Sequence, residues 1–187
     1  PLFLSSLAVY ASVPKSDPVP GGIMVVDVGP IVPNAPQPAI CYEEKPVFLW
    51  ANQGRWSALV GLGLAQNLGT AHLKTCDGKM AYAFHVHDKK YPEQRLTVPN
   101  QRHVDPDPED LRRIEQDTVQ IKAALHRFSP TLPTTWQFIL PVQGSRGSAF
   151  GLRRFFNGQP RKPHSGIDIT APQGVTIRAP MAGTVVN

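Results

Sequence analysis

The sequence predicts a mainly β protein: a small antiparallel β domain, one connecting helix, and the first strands of a second antiparallel β domain. Three observations carry this. Proline and glycine account for 20 and 15 of 187 residues, about one residue in five where average usage gives about one in eight, so long helices are disfavoured. Between Ile40 and Leu96 short apolar runs alternate with turn residues, the pattern of successive hairpins. Only one segment, after Asp107, spaces its apolar residues at threes and fours, the helical period. The 41% hydrophobic content suffices for one sizeable core or two small ones and excludes a disordered chain or a disulfide miniprotein.

The elements follow in order. Residues 1–11 are uncharged and largely apolar. They read as the remnant of a signal peptide, too short to cross a bilayer, with Val9-Tyr10-Ala11 offering a small residue at a cleavage position. An ordinary first strand is the alternative. At the far end Ala182 to Asn187 reads as a strand with nothing to pair against, so both ends are expected to be cut ends of a longer, exported chain. Residues 12–38 form a Pro-rich leader, exposed and extended, with one strand in Ile23 to Val28.

Residues 39–100 read as the N-terminal β domain. Its apolar runs, Val47 to Trp50, Trp56 to Leu62, Thr70 to Lys74 and Met80 to His87, are punctuated by Asn52-Gln53-Gly54 and Asp77-Gly78. These residues accept the positive φ of tight hairpin turns. Cys41 and Cys76 can pair in an oxidising compartment, closing a loop that contributes about 3 to 4 kcal/mol in the chain-entropy model; two buried free thiols are the other possibility.

Residues 101–135 hold the connecting helix and a linker. Asp107-Pro108-Glu109-Asp110 supplies an N-cap, a proline at the first helical position and two acids in the positive first turn. Leu111, Ile114, Thr118, Ile121, Leu125 and Phe128 then make one stripe, expected to pack on a neighbouring domain. Ser129 to Thr135, with two prolines, reads as the linker. Residues 136–187 begin the second domain, and Trp136, Phe138, Phe150, Phe155 and Phe156 are expected in its core rather than on a sugar-stacking surface.

The formal charge is +5, and its placement along the chain is uneven. From Trp136 onward there are six cations, Arg146, Arg153, Arg154, Arg161, Lys162 and Arg178, against the single anion Asp168. A basic segment of this kind suits a polyanionic partner such as nucleic acid or a cell-envelope polymer, or is a solvated face.

Chemistry concentrates in the same segment. His164 and Asp168 are suitable ligands for one Zn²⁺. On a straight strand, residues four apart are about 13 Å from one another, so the chain must bend between them, and Gly166 can supply the bend. Two ligands do not complete a site, and a surface His beside an unrelated Asp gives the same pattern. The other histidines offer no completion: His72, His103 and His126 have no partners in sequence, and His85-Val86-His87 is read as a strand with its rings on opposite faces, one buried and one solvated.

The wider sequence resembles the lysostaphin/LytM-type zinc metalloendopeptidases of bacterial cell-wall turnover. The resemblance rests on Pro141 to Gly144, Ser148-Ala149-Phe150-Gly151-Leu152-Arg153, His164 to Ile169, and Ala171 to Val185. Arg153 to Arg161 resembles the Gram-negative subgroup that carries an extra β-rich domain in front, and Tyr91 to Val98 with the following helix looks like its connecting region. The resemblance implies that residues 136–187 begin an antiparallel β catalytic domain and that His164 and Asp168 are two zinc ligands. It also implies that a His-x-His beyond Asn187 supplies the third ligand and the general base, so that no catalytic residue is assigned within the chain and the chain alone is expected to be inactive. The implied substrate is the peptide cross-link of peptidoglycan, in the periplasm or cell envelope, with no nucleic acid partner and with the N-terminal domain as an intramolecular inhibitor. Two other readings stay open. One is a non-catalytic LytM-fold protein that regulates or binds wall hydrolases. The other is a biotinyl or lipoyl carrier domain, whose first strands Arg178 to Val185 also resembles.

Overall fold

The protein is described from a computed structural model covering residues 14–131 and 135–186. The signal-peptide reading of residues 1–11, the first two leader residues, three linker residues at 132–134, and Asn187 lie outside the described residues.

Seven strands build the front half: β1 (Ile23–Pro30), β2 (Ile40–Tyr42), β3 (Lys45–Pro46), β4 (Phe48–Asn52), β5 (Arg55–Gly61), β6 (Gly69–Thr75) and β7 (Ala81–Val86). One antiparallel sheet has the order β1-β5-β4 and the other β3-β2-β6-β7. The period of two along each strand sends alternate side chains inward. Val26, Val28, Leu49, Ala58 and Val60 from the first sheet meet Ile40, Leu73, Phe84 and Val86 from the second in one buried cluster, the two-layer packing of a small β sandwich. Tyr82 stitches the layers by donating from Oη to the carbonyl of Val28 at 2.9 Å.

The turns follow from backbone chemistry. Gln53 and Gly54 both take positive φ, 48° and 76°, as a two-residue hairpin with the twist of its strands requires. Glu43 and Glu44 do the same between β2 and β3 at 48° and 64°. Cys41 and Cys76 are joined in a disulfide, which fastens β2 to the end of β6. The leader is less exposed than expected. Val19 is buried, and the Pro18 carbonyl accepts from the backbone N–H of His87 at 2.8 Å, so residues 17–22 lie along the end of β7.

β8 (Glu93–Leu96) is followed by α1 (Pro108–Leu125). Asp107 caps α1, its carboxylate accepting from the amides of Glu109 and Asp110. The expected packing of the helix stripe is not found: no residue of α1 is buried, and Leu111, Ile114, Ile121 and Leu125, with Phe128 beyond the helix, are all exposed. Among the described residues its apolar face is left uncovered.

Four short strands complete the fold: β9 (Ser145–Arg146), β10 (Arg153–Phe156), β11 (Gln159–Pro160) and β12 (Ile169–Thr170). β12 pairs antiparallel with β9, and β10 with β11 through a hairpin whose Asn157 and Gly158 have φ of 49° and 82°. β10 departs from the antiparallel rule on its other side. It runs parallel to β8, with Arg154 opposite Gln94, a pairing that the long excursion through α1 makes possible. Around this pairing Asn157 exchanges hydrogen bonds with the backbone of Val98, and Arg161 ion-pairs with Asp105. Residues 91–105 are thus packed as part of the sheet carrying β10.

The aromatic residues of the last segment divide. Trp136 sits against Phe48 and Trp50 of β4, with ring centroids 5.6 and 5.9 Å apart, and Phe150 packs on Tyr91. Phe155 is partly covered by the Arg95 guanidinium. Phe138 is 68% exposed and is not a core residue; the extended segment carrying it is held beside residues 178–180 by backbone bonds, Ile139 N–H to the Pro180 carbonyl at 3.0 Å and Arg178 N–H to the Pro141 carbonyl at 2.8 Å.

Candidate metal site

Ser148 to Leu152 acts as a rail from which both sequence-predicted ligands hang. The backbone of His164 donates to the Leu152 carbonyl at 2.9 Å and accepts from Gly151 at 2.7 Å. Asp168 donates to the Ser148 carbonyl at 3.0 Å and accepts from Gly147 at 2.9 Å. With four backbone bonds at its two ends, the intervening stretch bends at Gly166, and the two side chains converge. His164 Nε2 stands 3.1 Å from Asp168 Oδ1.

Each side chain is further oriented. His164 Nδ1 is 2.9 Å from the carbonyl oxygen of Ala149. A carbonyl only accepts, so Nδ1 carries the proton, and in the neutral ring the Nε2 lone pair faces Asp168. This is the arrangement in which metal-binding imidazoles are held by their other nitrogen. The His164 side chain is 11% exposed and that of Asp168 52%, which leaves the carboxylate reachable from solvent. The two Asp168 oxygens have separate neighbours. Oδ1 faces His164, and Oδ2 faces Arg154 Nη2 at 3.5 Å. Arg154 Nε in turn donates to Gln94 Oε1 at 3.2 Å, and Gln94 Nε2 donates to Ser148 Oγ at 3.3 Å.

Two atoms bound at about 2.0 to 2.2 Å to one tetrahedral ion lie a little over 3 Å apart, so the separation of His164 Nε2 and Asp168 Oδ1 fits a shared Zn²⁺. Among the described residues no group of three or more His, Cys, Asp or Glu side chains converges on such a position.

Residues 16–89 match the family model of the peptidase family M23 N-terminal domain. The crystal structure of a protein from Pseudomonas aeruginosa assigned to peptidase M23 is similar with a TM-score of 0.67 and 35% identity, over 92% of this chain and 63% of that one. The chain belongs to the M23 peptidase family. No curated protein matches it significantly. M23 is generally a family of metallopeptidases, and membership leaves the carrier-domain reading without support. The chain spans 63% of the Pseudomonas protein's length.

One sequence reading of this M23 chain needs correction. His85 and His87 do not point to opposite faces. Residues two apart on a strand share a face, both are exposed, and their ring centroids are 4.8 Å apart. His85 lies on the outer face of β7 and His87 just beyond its end, and neither belongs to the site at His164. Part of the basic excess after residue 136 is paired: Arg153 meets Glu93, Arg154 meets Asp168 and Arg161 meets Asp105, so two acids from the preceding segment offset two of the cations that the linear count left unbalanced.

What the sequence missed is Gln94. No motif marks it, and only the parallel register of β8 with β10 brings it beside Arg154.

Proposed function

We propose that the chain is part of an exported, zinc-dependent endopeptidase that hydrolyses peptide cross-links of bacterial peptidoglycan, with His164 and Asp168 as two of the zinc ligands. The observation that carries this reading is the 3.1 Å approach of His164 Nε2 to Asp168 Oδ1, with the imidazole tautomer set by Ala149. His164 and Asp168 would hold the zinc, which when bound would supply Lewis-acid polarisation of the scissile carbonyl. The chain's own residues do the holding: the Ser148 to Leu152 rail fixes the ligand spacing, and Arg154 occupies the second carboxylate oxygen. A third ligand and a general base complete such a site, so this chain alone is expected to bind zinc without turning over substrate.

The test has two parts. Zinc titration of the chain is expected to show one site lost in His164→Ala and in Asp168→Ala; equal binding by both variants and the parent removes the reading. The whole protein is then expected to release peptide fragments from purified peptidoglycan in a zinc-dependent manner, and release that persists in His164→Ala removes the proposed chemistry.

Inhibition of the site by the front domain belongs to the same proposal in a narrower form. β8 and Tyr91 support the site, so removing residues 1–128 takes away part of the site together with any inhibitor. The comparison that isolates inhibition deletes residues 1–89 and keeps Tyr91 and β8. A higher peptidoglycan rate is expected, and an unchanged rate rules inhibition out.

A further inference from the structure

The geometry points to Gln94 and Arg154 as positioning residues for Asp168, so that a strand from the front half of the chain sets the metal affinity of a site in the last third. The inference rests on the reading of His164 and Asp168 as zinc ligands and goes beyond it. A carboxylate can present either oxygen, or both, to an ion. Here Arg154 Nη2 stands 3.5 Å from Oδ2, which leaves Oδ1 turned to His164. Arg154 can do this only if its guanidinium plane is fixed, since its side chain is long and loses rotamer entropy on ordering. Gln94 supplies the fixing contact, accepting from Nε at 3.2 Å through Oε1.

Gln94 is itself held. Its amide nitrogen donates to Ser148 Oγ at 3.3 Å, on the rail that carries the backbone of Asp168. Its position is set by the β8–β10 register, which places Gln94 opposite Arg154. Arg154 is only 24% exposed in its side chain, so the relay is partly shielded from competing water. Ordering a ligand through outer hydrogen-bond partners commonly changes metal affinity 10- to 100-fold.

The test is a zinc titration against a competing chromophoric chelator, using the full chain in a His85→Ala background so that the exposed histidine pair adds no binding. Four proteins are compared: this parent, His164→Ala, Gln94→Ala and Gln94→Glu. Zinc binding is expected to be lost in His164→Ala, weakened about tenfold in Gln94→Ala, and restored near the parent value in Gln94→Glu, which returns an acceptor to Arg154 Nε. If Gln94→Ala fails to fold, Arg154→Lys serves instead: it keeps the charge, lacks the planar fork, and is expected to weaken binding in the same way. Binding lost in His164→Ala but unchanged in the Gln94→Ala or Arg154→Lys variant overturns the positioning role alone. Weakening that Gln94→Glu does not reverse assigns the effect to packing and also overturns it. Binding unchanged in His164→Ala overturns the metal reading, and the inference with it.

Discussion

The ring of Tyr91 lies directly on Gly151: a β-carbon built on this glycine stands 2.1 Å from Tyr91 Cδ1 and Cε1. Tyr91 Oη also donates to the Pro20 carbonyl at 2.8 Å, and the Tyr91 and Phe150 rings meet edge to face. The leader, the approach to β8 and the rail beneath His164 and Asp168 are therefore fastened at one aromatic side chain. Glycine is required at 151 twice over, because its φ is +85°, a conformation that costs other residues about 1 kcal/mol or more.

Gly151→Ala is accordingly expected to destabilise the protein by about 2 kcal/mol or more. It should also weaken zinc binding, since the amide of Gly151 donates to the carbonyl of His164. Urea unfolding and zinc titration on the same variant check both. Wild-type stability in Gly151→Ala removes the Tyr91 contact from the account of the fold.

The Cys41–Cys76 disulfide closes a loop with a sequence separation of 35. The chain-entropy model assigns about 4 kcal/mol to a loop of that length. Reduction, or the double substitution of both cysteines by serine, is expected to lower the urea midpoint and, because the unlinked unfolded chain exposes more surface, to raise the slope somewhat. A midpoint unchanged by reduction means that β2 and β6 hold their places without the link.

The front sandwich and the approach of His164 to Asp168 were legible in the sequence because both are written locally. The alternation of Val26 and Val28, or of Ala58 and Val60, states which face is buried, and Gln53-Gly54 states where the chain reverses. His164 and Asp168 stand four apart around a glycine, and the bend that this spacing demands is the bend observed. The parallel β8–β10 pair was not legible. It joins residues about sixty apart in sequence, and nothing in Glu93 to Leu96 distinguishes a parallel partner from an antiparallel one. The Asn157-Gly158 turn carries a strong hairpin signal, and both residues take positive φ between β10 and β11. Glu43-Glu44 carried none, since glutamate seldom takes positive φ. The helix stripe misled for another reason: a 3.6-residue apolar period states that a face seeks cover, not that this chain provides it.

That last point yields a contrast between α1 and the core. Leu125 is 77% exposed and Leu73 fully buried. Replacing Ile114 and Leu125 together by serine is expected to change the stability of this chain by no more than about 0.5 kcal/mol. Leu73→Ala is expected to cost about 3 kcal/mol through lost transfer energy and the cavity left between the sheets. Comparable losses from the two changes, measured by denaturant unfolding, indicate that α1 packs on this chain in solution after all.

The turn between β6 and β7 gives a pH-dependent prediction whose sign can be worked out. Asp77 pairs with the Lys79 ammonium at 2.8 Å, and its Oδ1 accepts from Thr75 Oγ1 at 2.6 Å and from the Lys79 amide at 3.2 Å. Chiefly the Lys79 contact, then the Thr75 and backbone bonds, hold the Asp77 carboxyl well below the usual carboxylate range. A carboxyl depressed on folding stabilises the folded turn above its unfolded value of about 3.9, and that contribution is lost as pH falls from there through the folded value. The Lys79 and Met80 amide resonances are therefore expected to hold their positions down to about pH 3 and to move only below it. In Asp77→Asn, which keeps an acceptor oxygen but not the charge, the movement should vanish. A Lys79 amide that titrates with a midpoint near the ordinary aspartate value shows that the turn is open in solution and that Met80 N–H no longer reaches Thr75 Oγ1, the 3.0 Å bond that closes it.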